Sequence, residues 1–135
     1  MRLVVLLSFI VGLGGYFYFT RMGKSEPATD LQQNVAFVTP ELSASAQMGE
    51  RFFVAKCAQC HGENALGSEN GPPLIHRIYE PSHHGDEAFQ RAAALGTRSH
   101  HWRFGDMPPV DGITRAEVAQ IVDYIRETQR ANGIN

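Results

Sequence analysis

Cysteine is scarce in this chain: it has 2 in 135 residues, and both fall within one five-residue stretch. That leaves none for a structural disulfide, and a zinc site would lack a second ligand pair at matching spacing. Basic runs are also missing. The 12 Lys and Arg are scattered and the formal net charge is −2, which excludes the electrostatic footprint of a nucleic-acid binder. No stretch of useful length alternates apolar with polar residues. Strands are therefore not expected, and the fold class is read as all-α with long loops.

One long apolar run is present, from Leu3 to Phe19, with Arg2 before it and Arg21 and Lys24 after it. As a helix it would span about 25 Å, slightly under the ~30 Å of a bilayer core. The run exceeds the usual core of a cleaved signal peptide, and no small-x-small site follows it cleanly. Tyr16, Phe17, Tyr18 and Phe19 would sit at the far interface as an aromatic belt. Residues 1–20 are read as an uncleaved transmembrane anchor. Residues 21–41, with two prolines and many polar side chains, are read as a flexible linker. That leaves residues 42–135 as one small domain, marginal on its own core and suited to stabilisation by a bound cofactor.

The two cysteines stand in Cys57-Ala58-Gln59-Cys60-His61. In a C-x-x-C-H run the thiols add across the two vinyl groups of a haem, and the adjacent imidazole becomes an axial iron ligand. A thioredoxin-like pair would want a βαβ context instead. Around the motif, a helix is predicted from Ser43 or Ala44 to Cys57, with Met48, Phe52, Phe53 and Ala55 as its buried face. Gly49 in its middle costs roughly 1 kcal/mol against Ala, so close approach of another helix is expected there. A second helix should run from Asp86 to Leu95, starting with acids and ending at Gly96. The last should run from Arg115 to about Ala131. Thr114 and Glu117 form its capping box, and Ile113 with Val118 a hydrophobic staple. Val118, Ile121, Val122 and Ile125 give it one apolar stripe, with Tyr124 beside them.

Gly49-x-x-x-Phe53-x-x-x-Cys57-x-x-Cys60-His61 resembles the first helix and haem motif of the class I cytochromes c. Gly71-Pro72-Pro73-Leu74 is similar to the loop whose proline carbonyl accepts the proximal imidazole N–H, which maps to Pro72. Met107-Pro108 resembles the methionine loop that closes the sixth iron position, and Tyr124 the aromatic that meets the first helix. The resemblance covers residues 44–132. It implies a cytochrome c fold, with helices packed around one covalent haem c. It further implies haem binding by Cys57, Cys60, His61, Pro72 and Met107, with His61 and Met107 on the iron. The expected function is single-electron transfer between periplasmic or membrane redox proteins, with no catalysis of its own, in the protein itself or as a subunit of a larger oxidoreductase. For this haem type in a bacterium, the domain is expected to face the periplasm from the cytoplasmic membrane. Donor, acceptor and reduction potential are not legible.

Met48 precedes the motif and is read as a core residue, whereas Met107 lies in a Gly/Pro-rich loop that can aim it at a metal. A haem sensor or peroxidase-like enzyme with an open sixth position is the alternative. Six histidines exceed what one haem requires. His83, His84, His100 and His101 are read as surface loop residues near a haem edge, with Trp102 donating to a propionate. The sharper alternative is a copper-handling site. The helix expected between the two pairs is about 15 Å long, which keeps them apart unless the loop after Gly96 folds back. His76 is read as an ordinary loop residue.

Overall fold

The computed structural model describes residues 36–135. The predicted anchor, and the linker up to Val35, lie outside the described residues. Among the described residues no helix is long and apolar enough to cross a membrane. The described residues contain four α-helices: α1 (Ala44–Lys56), α2 (Ala58–His61), α3 (Asp86–Leu95) and α4 (Arg115–Ala131). Short 3-10 turns at Glu63–Ala65 and Arg77–Tyr79 punctuate the loop between α2 and α3. The only β pairing among the described residues is a single bridge between Thr97 and Met107.

Local sequence chemistry explains the helix ends. Ser43 caps α1, its Oγ accepting from the Ala46 N–H at 3.3 Å. Glu127 of α4 then accepts from both the N–H and the hydroxyl of Ser43, at 2.9 and 2.7 Å. A carboxylate is thereby placed at the positive end of the α1 dipole. The α4 capping box forms as expected, with Glu117 N–H donating to Thr114 Oγ1 and Thr114 N–H donating back to Glu117. α3 begins with Asp86 and Glu87 and stops at Gly96.

α1 crosses α4 at Gly49. A Cβ added there would sit 1.8 Å from the backbone oxygen of Gln120, so only a hydrogen fits. One turn further on, the rings of Phe53 and Tyr124 meet at 5.5 Å between centroids. Phe53 and Ile125 are fully buried, each contributing about 1.5–3 kcal/mol relative to exposure. On the other side of α4, Val118 and Val122 pack with Ala93 of α3, and Ile113 and Phe89 close the gap.

One expectation needs correction here. The buried line on α1 is Ala46, Gly49 and Phe53, with Phe52 partly buried, while Met48 and Ala55 are exposed. At about 100° per residue, both project from the side opposite that line. The compact unit begins at Ala36, inside the stretch read as linker. Val38 is tied down by Asn132, which accepts from its N–H and donates to its carbonyl, both at 2.9 Å.

Candidate haem site

The C-x-x-C-H residues occupy one helical corner. α1 ends as Cys57 N–H donates to the Phe53 carbonyl at 2.7 Å, and Cys57 turns out of helical geometry with φ −122°. The single turn of α2 follows at once and places Cys60 and His61 three and four residues beyond Cys57. On a helix those positions share a face. The chain then doubles back. Gly67 N–H reaches the His61 carbonyl at 2.7 Å, and Ser68 Oγ donates to the Cys60 carbonyl at 2.5 Å. This fold-back sets the Pro72 carbonyl against the imidazole.

His61 is buried, and its Nδ1 lies 2.9 Å from the Pro72 carbonyl oxygen. A carbonyl can only accept, so Nδ1 carries the proton and Nε2 presents a lone pair. Burial pushes the His61 pKa down, opposed in part by the Pro72 carbonyl. The ring is therefore neutral, with a fixed tautomer and a free Nε2 that suit it to bind a metal.

Met107 reaches the same cavity from the other half of the domain. Its backbone pairs with Thr97 through two bonds of 2.9 Å, and Val110 N–H donates to the Ala93 carbonyl at 2.8 Å. Both contacts hang the methionine loop on the end of α3. Gly96 makes the junction possible: its φ is +72°, and a Cβ would lie 2.5 Å from the Met107 oxygen. Met107 and His61 line one cavity of ≈ 560 Å³, whose walls include Phe53, Leu74, Val118 and Ile121. That volume lies within the range of cofactor pockets, about 300–1,000 Å³.

The lining suits a large apolar group with a polar edge. Trp102 Nε1 is a buried donor with no hydrogen-bond partner. Burial raises the pKa of the nearby Tyr79 hydroxyl, and Trp102 offsets that only in part, without forming a hydrogen bond of proper geometry. An acceptor on the bound group, such as a haem propionate, would satisfy it. Phe104 lies beside Trp102, 6.3 Å between ring centroids, and His76 meets the indole edge-on at 5.0 Å. His76 also caps the turn at Arg77–Tyr79, its Nδ1 accepting from Ile78 N–H.

The thiols do not read as a redox dithiol or a metal clamp. Burial, and then the proximity of Cys60, push the Cys57 thiol up to about 11. A catalytic C-x-x-C pair depends on a lowered thiol. The metal-capable grouping found among the described residues lies elsewhere and contains no cysteine: it comprises His83, His84 and His101. The two histidine pairs, expected to be held apart by α3, come together because the loop after Gly96 folds back along the helix.

Sequence reasoning missed the side chains that hold the α2–α3 loop. Arg126, buried on α4, donates to the Tyr79 carbonyl at 2.6 Å, to Gln129 Oε1 at 2.7 Å, to Asp86 at 2.9 Å and to the His84 carbonyl. Gln129, fully buried, donates to the carbonyls of Leu74 and Tyr79 at 2.9 and 3.0 Å. A loop buried against a helix needs donors for its carbonyls, and α4 supplies them. The sequence signal was slight: two polar residues three apart, beside an apolar stripe.

The cytochrome c family model matches residues 46–129, more than half of the chain. Searches of curated proteins and of solved structures returned no match. With the motif, its fold-back loop and the all-helical core in agreement with the family match, this chain belongs to the cytochrome c family, whose members carry covalent haem c and serve haem-based electron transfer.

Proposed function

We propose that this protein is a monohaem class I cytochrome c, held in the bacterial cytoplasmic membrane by residues 1–20. Its domain faces the periplasm and passes single electrons between a donor and an acceptor redox protein. Cys57 and Cys60 would hold the haem through thioethers, and His61 and Met107 would bind its iron. When bound, the haem supplies the one-electron iron couple. The protein's part is to keep both ligands fixed. Pro72 holds His61 in one tautomer, and Thr97 holds the Met107 backbone. The anchor rests on the apolar run Leu3 to Phe19.

The observation that carries this reading is the shared cavity, with a neutral, oriented His61 on one part of its wall and Met107 on another. A thioether is a weak, soft donor that would raise the reduction potential, and with His61 and Met107 both on the iron no place would remain for substrate. Met107→Ala tests it. The variant should retain covalent haem, show a lower reduction potential and bind carbon monoxide in the ferrous state. A wild-type protein that is already high-spin and binds carbon monoxide readily would favour the sensor or peroxidase-like reading instead.

A further inference from the structure

Four imidazoles from two separate loops converge at the rim of the haem cavity. His83 and His84 precede α3, and His100 and His101 lie in the loop after it. The His83 and His101 Nε2 atoms are 3.2 Å apart. One ring nitrogen from each of His83, His84 and His101 lies within 4.8 Å of the other two. The His100 ring is 4.2 Å from that of His101 and stacks on His84 at 5.8 Å.

We propose that His83, His84 and His101 bind one divalent transition-metal ion of the imidazole-preferring class, zinc or copper(II), with His100 in reach as a fourth ligand.

The spacing supports this directly. Metal–nitrogen bonds of about 2.0–2.1 Å in a tetrahedral site put ligand nitrogens roughly 3.3–3.4 Å from one another. The His83–His101 pair already stands close to that separation. The third nitrogen has to close by at most about 1.4 Å to reach the same spacing, within reach of a side-chain rotation.

The hydrogen bonding points the same way. His84 Nδ1 donates to the Ile78 carbonyl at 2.6 Å, and His100 Nδ1 donates to the Arg98 carbonyl at 2.8 Å. In each ring the proton is thus held on Nδ1, and Nε2 keeps its lone pair. Metal-binding histidines are usually oriented by such a bond to a backbone carbonyl. The backbone is held as well. His83 and His84 N–H groups both reach the Glu80 carbonyl, at 3.1 and 2.8 Å, and Arg126 grips the His84 carbonyl.

Electrostatics favour the neutral form of His84 and His101, the form a ligand needs. The His84 pKa is lowered by burial, and further by His83, His100 and Arg126. The His101 pKa is lowered by lost solvation and by His100, His84 and His83. Among the described residues no carboxylate pairs with any of the four, so ion pairing does not explain their gathering.

The test is calorimetric titration of the haem-loaded full chain, free of any histidine tag, with zinc in one arm and copper(II) in the other. At least one ion should saturate at one equivalent. His83→Asn combined with His101→Asn should weaken that binding about a hundredfold or more. Both rings are exposed, and an unchanged haem spectrum in the variant reports that the fold is intact. X-ray absorption at the bound metal should show an imidazole shell. Failure of both ions to bind stoichiometrically, or equal binding by the double variant, overturns the site. Either result leaves the electron-carrier reading untouched, because the haem is measured separately.

Discussion

Arg126 is a buried cation that works as a hydrogen-bond clamp, joining α4 to the α2–α3 loop and to the start of α3. Its one carboxylate partner, Asp86, is largely exposed, so the ion pair counts for less than the carbonyls it satisfies. It also lies over the Phe89 ring at 5.0 Å. Arg126→Met should keep the apolar stem but orphan the His84 carbonyl and Gln129 Oε1, while Gln129 still donates to the Tyr79 carbonyl. A loss of about 2–4 kcal/mol in urea unfolding is expected. Arg126→Lys should recover only part of it, since an ammonium cannot reproduce the planar fork. Tyr124 gives a pH prediction. Burial, and then Glu50, push its pKa up to about 12, above the ordinary value near 10. The folded state thus holds this proton where the unfolded chain has released it. The associated stability is full below about pH 10 and is lost as pH rises toward 12. Tyr124→Phe should show a shallower decline over that window, and equal slopes would contradict the assignment.

Among the elements, the crossing of α1 and α4 admits the least change. Ala is the better helix former by about 1 kcal/mol, so a free-standing α1 would gain from Gly49→Ala. Here the added methyl meets the Gln120 backbone, and a net destabilisation of about 1–3 kcal/mol is expected from chemical denaturation. Gly49→Val should be worse. A wild-type midpoint for Gly49→Ala would mean that the helices can part freely. The need for a close contact at Gly49 was legible from its place inside a helix, and so were the capping box and both ends of α3. The buried face of α1 was not. Met48 and Ala55 are apolar enough to suggest a core, but burial follows the Gly49 crossing and its angular line through Ala46 and Phe53.

For the molecule as a whole, residues 36–135 form one compact unit. Replacing residues 1–35 with a cleavable export signal should release a haem-loaded protein into the soluble fraction with an unchanged melting midpoint. Continued sedimentation with membranes would remove the proposed anchor. A lowered midpoint would mean that residues before Ala36 also stabilise the domain. Cutting further, past Val38, should cost stability, because the Asn132 side chain then loses both of its backbone partners there.

The sequence by itself determined the chemistry that adjacent residues can specify. Cys57, Cys60 and His61 lie within one helical turn, and caps and stripes act over four to seven positions, so short-range geometry suffices to read them. Resemblance pointed to Pro72 and Met107, while the cavity they both line was not legible in the sequence. The tertiary structure alone decided which distant residues meet. Arg126 is 47 positions from Tyr79, and His83 is 18 from His101. Such pairings depend on where a loop is laid down and on which helix supplies donors for its buried carbonyls. No local periodicity carries that information.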